Sequence, residues 1–64
     1  MRIIELTDHL QGHKIYVNVD KIAYYDRPHR KAYTLVMLSS ESVYVEVKET
    51  PEQITELIKN APEL

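Results

Sequence analysis

A chain of 64 residues without a cysteine cannot be held by disulfides, bind a metal through thiolates or use a cysteine nucleophile. A chain this short hides only about 60% of the surface that its unfolded form exposes, so the 44% apolar share supports one small domain over residues 1–64 and one small core. The formal net charge of −2 argues against a dedicated nucleic-acid binder, which is usually strongly basic, and no apolar run approaches the ~18 residues that a membrane-spanning helix needs.

Arg2 to Leu6 is short and isoleucine-rich, and it reads as a first strand. Thr7 to His13 holds Gly12, the only glycine, which takes a positive φ without steric cost and suits a hairpin turn. Lys14 to Val19 alternates, with Ile15, Val17 and Val19 on one face and Tyr16 and Asn18 on the other, the period of a strand. Asn18-Val19-Asp20 reads as a bend, because Asn and Asp side chains bond locally to the backbone.

Lys21 to Asp26 is predicted as a third strand, with Ile22 and Tyr24 on one side. Arg27-Pro28-His29-Arg30-Lys31 is a polar turn that Pro28 keeps out of a central strand. Ala32 to Ser39 is a fourth strand in which Tyr33, Leu35 and Met37 alternate with Thr34, Val36 and Leu38. Both of its faces are apolar at one end, so it is predicted to be central. Ser39-Ser40-Glu41 turns the chain. Ser42 to Lys48 follows as a fifth strand, with Val43, Val45 and Val47 facing one way and Tyr44, Glu46 and Lys48 the other.

Strand structure then gives way to a helix. Thr50 is an N-cap, Gln53 completes a capping box three residues later, and Pro51 sits at the first helical position, where its missing N–H costs nothing. Ile54, Leu57 and Ile58 fall at i, i+3 and i+4 and form one apolar stripe, while Asn60 and Pro62 end the helix. The predicted fold is α+β and mostly β: a five-stranded antiparallel meander or small half-open barrel with one C-terminal helix. Val45 and Ile22 are expected in the core, and Ile54 and Leu57 on the sheet.

Few residues point to chemistry. His9 and His13 flank a turn and His29 lies in another, but no cysteine joins them and no carboxylate stands at ligand spacing, so they read as solvated turn residues. Glu49 and Glu52 suit the positive end of the helix dipole, and Glu56 with Lys59 lies at i, i+3 on its surface, where opposite charges commonly pair. Ser39, Ser40 and Ser42 have neither a glycine elbow nor a base. No catalytic residue, metal site or cofactor is expected.

Two clusters remain as candidate binding surfaces. Arg27, His29, Arg30 and Lys31, with Tyr24, Tyr25 and Tyr33 beside them, have the ingredients of a small nucleic-acid patch, with cations for phosphates and rings for bases. They equally describe a charged hairpin tip that keeps an edge strand from aggregating, and the acidic balance of the chain favours that reading. Tyr16 and Tyr44 lie opposite the main valine rows. With Tyr24 and Tyr25 they supply aromatic surface of the kind that meets other proteins, unless they cover one another across strands.

The order of motifs carries a resemblance. Ile4-Glu5-Leu6-Thr7, the Gly12 turn, Lys14-Ile15-Tyr16-Val17-Asn18, Asp20-x-Ile22, Thr34 with Leu38, and Val43-x-Val45-x-Val47-Lys48-Glu49-Thr50 ahead of a short helix together resemble the FlbD-like family over residues 4–58. These are small bacterial proteins linked to flagellar and swarming operons. The resemblance implies a small non-enzymatic accessory protein that supports flagellar motor function through protein contacts, and it carries over no catalytic residue. Met1-Arg2-Ile3-Ile4-Glu5 has an acid where a secretory signal would be apolar, so a cytoplasmic location is expected. The expected partner is a protein, with self-association as a second route to buried area. The alternative is a nucleic-acid-binding module that uses the Arg27–Lys31 tip.

Overall fold

A computed structural model of the chain describes residues 1–39 and 43–63. Ser40, Glu41 and Ser42, which hold most of one predicted turn and the predicted first residue of the last strand, lie outside the described residues. Five antiparallel strands precede one helix: β1 (Ile3–Thr7), β2 (Lys14–Asn18), β3 (Ile22–Asp26), β4 (Thr34–Leu38), β5 (Tyr44–Val47) and α1 (Pro51–Asn60). The strands fall into two sheets, β1-β2 and β3-β4-β5, with β4 central in the second as predicted.

The sheets are not closed into a barrel, but they are joined along one seam. Asp8 bridges Val47 just beyond the end of β1. The His9 N–H donates to the Glu46 carbonyl at 2.9 Å, and the Lys48 N–H to the Thr7 carbonyl at 2.9 Å. The hydrogen-bonded path across the molecule therefore runs β2-β1-β5-β4-β3.

Local chemistry explains the connections. Gly12 has φ +77°, the left-handed conformation that its place in the β1–β2 turn requires. The predicted bend after β2 is one 3₁₀ turn, Val19–Lys21, with the Asn18 side chain accepting from the Asp20 N–H at 2.9 Å. The strand predicted over Ala32 to Ser39 starts only at Thr34, because Tyr33 leaves the ladder and its ring packs on His9 with centroids 5.1 Å apart.

The core is Ile4, Leu6, Val17, Val36, Val47 and Ile54, each buried. Ile15, Val19, Ile22, Leu38, Val45 and Ile58 pack half-buried around it, so the Ile15, Val17 and Val19 row of β2 faces inward, and of the two rows of β4 it is Thr34, Val36 and Leu38 that does. Thr34 is fully buried among these apolar groups, and its hydroxyl donates to the Glu49 carbonyl at 2.6 Å. That bond satisfies the one buried polar side chain among the described residues.

Two face assignments change, and one strand keeps its faces while its burial grades along its length. Ile22 and Tyr24 do not share a side: the ladder slips between them, pairing Ile22 with Leu38 and Tyr24 with Met37, which are adjacent and point to opposite faces. The β5 valines grade from Val47, fully buried, to Val43, 44% exposed, because the strand leaves the core toward its start. Along α1 and its C-cap the inward line is Ile54, Ile58 and Ala61, whereas Leu57 stays 36% exposed.

The helix begins where predicted. The Gln53 N–H donates to Thr50 Oγ1 at 3.1 Å and the Thr50 N–H to Gln53 Oε1 at 2.8 Å, which closes the capping box. Arg2 Nη1 donates to the Ile58 carbonyl at 3.1 Å, and the Tyr25 hydroxyl shares a 2.6 Å hydrogen bond with Thr55 Oγ1. These two bonds tie α1 to the residue before β1 and to β3, at positions three residues apart on one side of the helix.

Candidate interaction surface

The register of the three-stranded sheet sets one row of side chains on its outer face. Tyr24 of β3 is paired with Met37 of β4, and Met37 with Tyr44 of β5. Directly paired residues point to the same side. Val36 and Val45, the neighbours of Met37 and Tyr44, face the core, so this row faces away from it. Tyr24 is 54% exposed and Tyr44 53%, with Met37 half-buried between them.

The next row on the same face is Asp26, Leu35 and Glu46. Its apolar centre extends the patch, and its two ends are carboxylates. The surface is thus two rings, a thioether and a leucine bounded on one side by negative charge. Such rings bring large contact area with little rotamer entropy, and methionine adapts its shape to what it meets.

The four tyrosines proposed for binding are not one surface. Tyr24 and Tyr44 meet through Met37. Tyr25 lies on the core side, half-buried, with its hydroxyl committed to Thr55. Tyr16 is 68% exposed but stands on β2, opposite Glu5 in the other sheet. Met37 was not singled out in the sequence. Its alternation with Val36 gave it the opposite face without saying which face is outer, and only the strand register puts it between two tyrosines.

The basic cluster is where the sequence puts it. Arg27, His29, Arg30 and Lys31 are all exposed in the β3–β4 turn. The Lys31 N–H donates to the Pro28 carbonyl at 3.1 Å, and Arg30 adopts a left-handed φ of 64°. Among the described residues none of the four has an ion-pair partner. Of the neighbouring rings only Tyr24 is free to stack, since Tyr25 bonds to α1 and Tyr33 packs on His9.

A third feature is an open groove of about 680 Å³ between β1, the end of β5 and α1. Glu5, Glu49, Glu52 and Glu56 line it with one cation, Lys48, and the exposed edge of Leu57. Glu56 faces this groove and forms no ion pair with Lys59, contrary to the i, i+3 expectation. Glu49 does more than face the helix dipole: its carboxylate accepts from the Thr7 N–H and hydroxyl. Among the described residues no three histidines or carboxylates gather as metal ligands. No helix among them is long and apolar enough to cross a membrane.

Comparison of the chain with protein-family models, with curated proteins and with solved structures finds no significant match.

Proposed function

We propose that this chain is a small non-enzymatic accessory protein of the cytoplasm that acts by binding another protein through the Tyr24–Met37–Tyr44 face. The observation that carries this reading is the in-register row of two exposed tyrosines around Met37 on three adjacent strands. An aromatic and methionine-rich centre is the composition that distinguishes the middle of a protein interface from ordinary surface. Asp26 and Glu46 at the margin select a partner surface that is apolar with basic residues at its rim. The resemblance to FlbD-like proteins supports a partner at the flagellar motor.

The test is a chromosomal Tyr24→Ser/Tyr44→Ser allele in the host cell. Its expected phenotype equals that of a deletion, with unchanged protein level and reduced swimming. A deletion strain that swims normally contradicts the motor role. A double variant that behaves as wild type contradicts the face.

A second reading is a nucleic-acid contact through Arg27, His29, Arg30 and Lys31, favoured by their exposure on one turn with no internal ion pair among the described residues. Tyr24 alone is left to stack a base beside them, which leaves this patch with charge attraction and little else.

A further inference from the structure

The two outermost strands of the hydrogen-bonded path are built differently. β3 is broken by the slip at Ala23, carries Asp26 at its end and runs into Pro28 and the basic turn. Bulges, prolines and charges of this kind blunt an edge against further pairing. β2 has none of the first two. It is five regular residues, Lys14–Asn18, with Tyr16 68% exposed at its centre, and among the described residues it pairs only with β1.

Hydrogen-bond phase fixes what that edge presents. The Val19 N–H donates to the Arg2 carbonyl at 2.9 Å, and the Asp8 N–H to the His13 carbonyl at 2.8 Å. Pairs alternate along an antiparallel ladder, so Ile4–Val17 and Leu6–Ile15 are the bonded pairs between these two. The N–H and C=O groups of Lys14, Tyr16 and Asn18 therefore point away from β1, toward the open side.

We infer that a second copy of this chain occupies the β2 edge, antiparallel, about a two-fold axis through Tyr16. This is the register in which all five residues of each strand are paired. Lys14, Tyr16 and Asn18 of one copy then face Asn18, Tyr16 and Lys14 of the other, and every outward N–H meets an outward C=O. The side chains agree with the backbone. The two Tyr16 rings form a cross-strand aromatic pair, each Lys14 ammonium lies opposite a neutral Asn18, and Ile15 lies opposite Val17 on the core side. An axis moved to Lys14 would set two ammonium groups against each other. An axis moved to Asn18 would run the pairing into the Val19–Lys21 turn. The dimer carries two Tyr24–Met37–Tyr44 faces, so it binds a repeated partner with gain from avidity. The inference does not depend on the function proposed for that face.

A single pair of edge strands is a small interface, so association is reversible. Sedimentation equilibrium between about 5 and 500 micromolar, where such contacts dissociate, is expected to show a weight-average mass rising from 7.5 kDa toward twice that value. Tyr16→Lys places like charges opposite each other and is expected to weaken dimerisation about tenfold or more, and an equal mixture with Tyr16→Glu to restore it. Circular dichroism checks that each variant folds. Tyr16→Cys provides a readout that needs no loss of binding: paired Cα atoms about 5.5 Å apart lie within disulfide range, so mild oxidation should link the dimer, and Tyr44→Cys should not link. A monomer at every concentration, a dimer indifferent to Tyr16→Lys, or faster linkage through Tyr44→Cys than through Tyr16→Cys would overturn the inference.

Discussion

Glu49 reaches back 42 residues to hold Thr7: its two carboxylate oxygens accept from the Thr7 N–H at 2.8 Å and the Thr7 hydroxyl at 2.9 Å. The pair joins the end of β1 to the residue before the helix cap, beside the seam where the two sheets meet. Hydrogen bonds to a charged acceptor are among the stronger ones, and this pair is only partly exposed. Glu49→Ala is expected to destabilise by about 2 kcal/mol, and Glu49→Gln, which keeps one acceptor, by about half as much. Thermal unfolding measures both, at roughly 4–8 °C per kcal/mol for a domain of this size. A Glu49→Ala melting point equal to wild type would remove the tether from the account.

The helix cap is the most local of the expectations. Thr50→Ala removes the acceptor for the Gln53 N–H and should cost about 1 kcal/mol, whereas Thr50→Asp should restore most of it. Equal melting points for the alanine and aspartate variants would mean that the cap contributes nothing.

Ile54 and Leu57 separate the buried line of α1 from its flank. Ile54 is fully buried and Leu57 is 36% exposed. Ile54→Ala is expected to cost about 2–5 kcal/mol, a large part of the stability of a small domain, and Leu57→Ala less than about 1 kcal/mol. Urea unfolding of the two variants gives the comparison. Similar losses would show that the helix docks with Leu57 inward.

Gly12 holds its turn by conformation, not by space. At φ +77° the nearest atom to an added Cβ is Lys48 Nζ, 3.9 Å away, which is ordinary contact. Gly12→Ala is therefore expected to cost about 1 kcal/mol from the left-handed backbone alone. A neutral or stabilising effect in thermal unfolding would place the turn in another conformation.

What the sequence made legible is what nearest neighbours decide. The Thr50-Pro51-Gln53 cap and the period-two row of β2 depend on a few adjacent residues, and each is found in place. The errors come from contacts that span the chain. The Ile22–Tyr24 pairing failed because one extra residue at Ala23 inverts every later side chain of β3, and a bulge leaves no mark on alternation. Leu57 fits the helical stripe as well as Ile58 does. What separates them is tertiary: Ile58 packs on the core, on the side of α1 where Arg2 bonds Ile58 and Tyr25 bonds Thr55 across 56 and 30 residues. Composition offered five tyrosines as surface, but only register sorts them into a face, an edge, a helix contact and a ring on His9.

The basic turn gives a clear salt test. Three phosphate contacts by Arg27, Arg30 and Lys31 would give a log–log slope of binding against salt of about −2 to −3. The expected result is weak binding of a labelled oligonucleotide at about 150 mM salt, where exposed charges are screened beyond about 8 Å. Fluorescence anisotropy showing micromolar or tighter binding, lost in an Arg27→Ala/Arg30→Ala/Lys31→Ala variant, would favour the nucleic-acid reading instead.

Photo-crosslinking in the host cell tests the Tyr24–Met37–Tyr44 face most directly. A benzophenone amino acid placed at position 24 or 44 should yield the same discrete adduct with one other protein, identified by mass spectrometry. The same probe at Glu52, exposed on α1, should not give it. Met37→Asp, which puts a charge at the centre of the row without entering the core, should abolish the adduct and leave the protein folded. No adduct from positions 24 and 44, or an equal adduct from position 52, would contradict the assignment of this face as the binding surface.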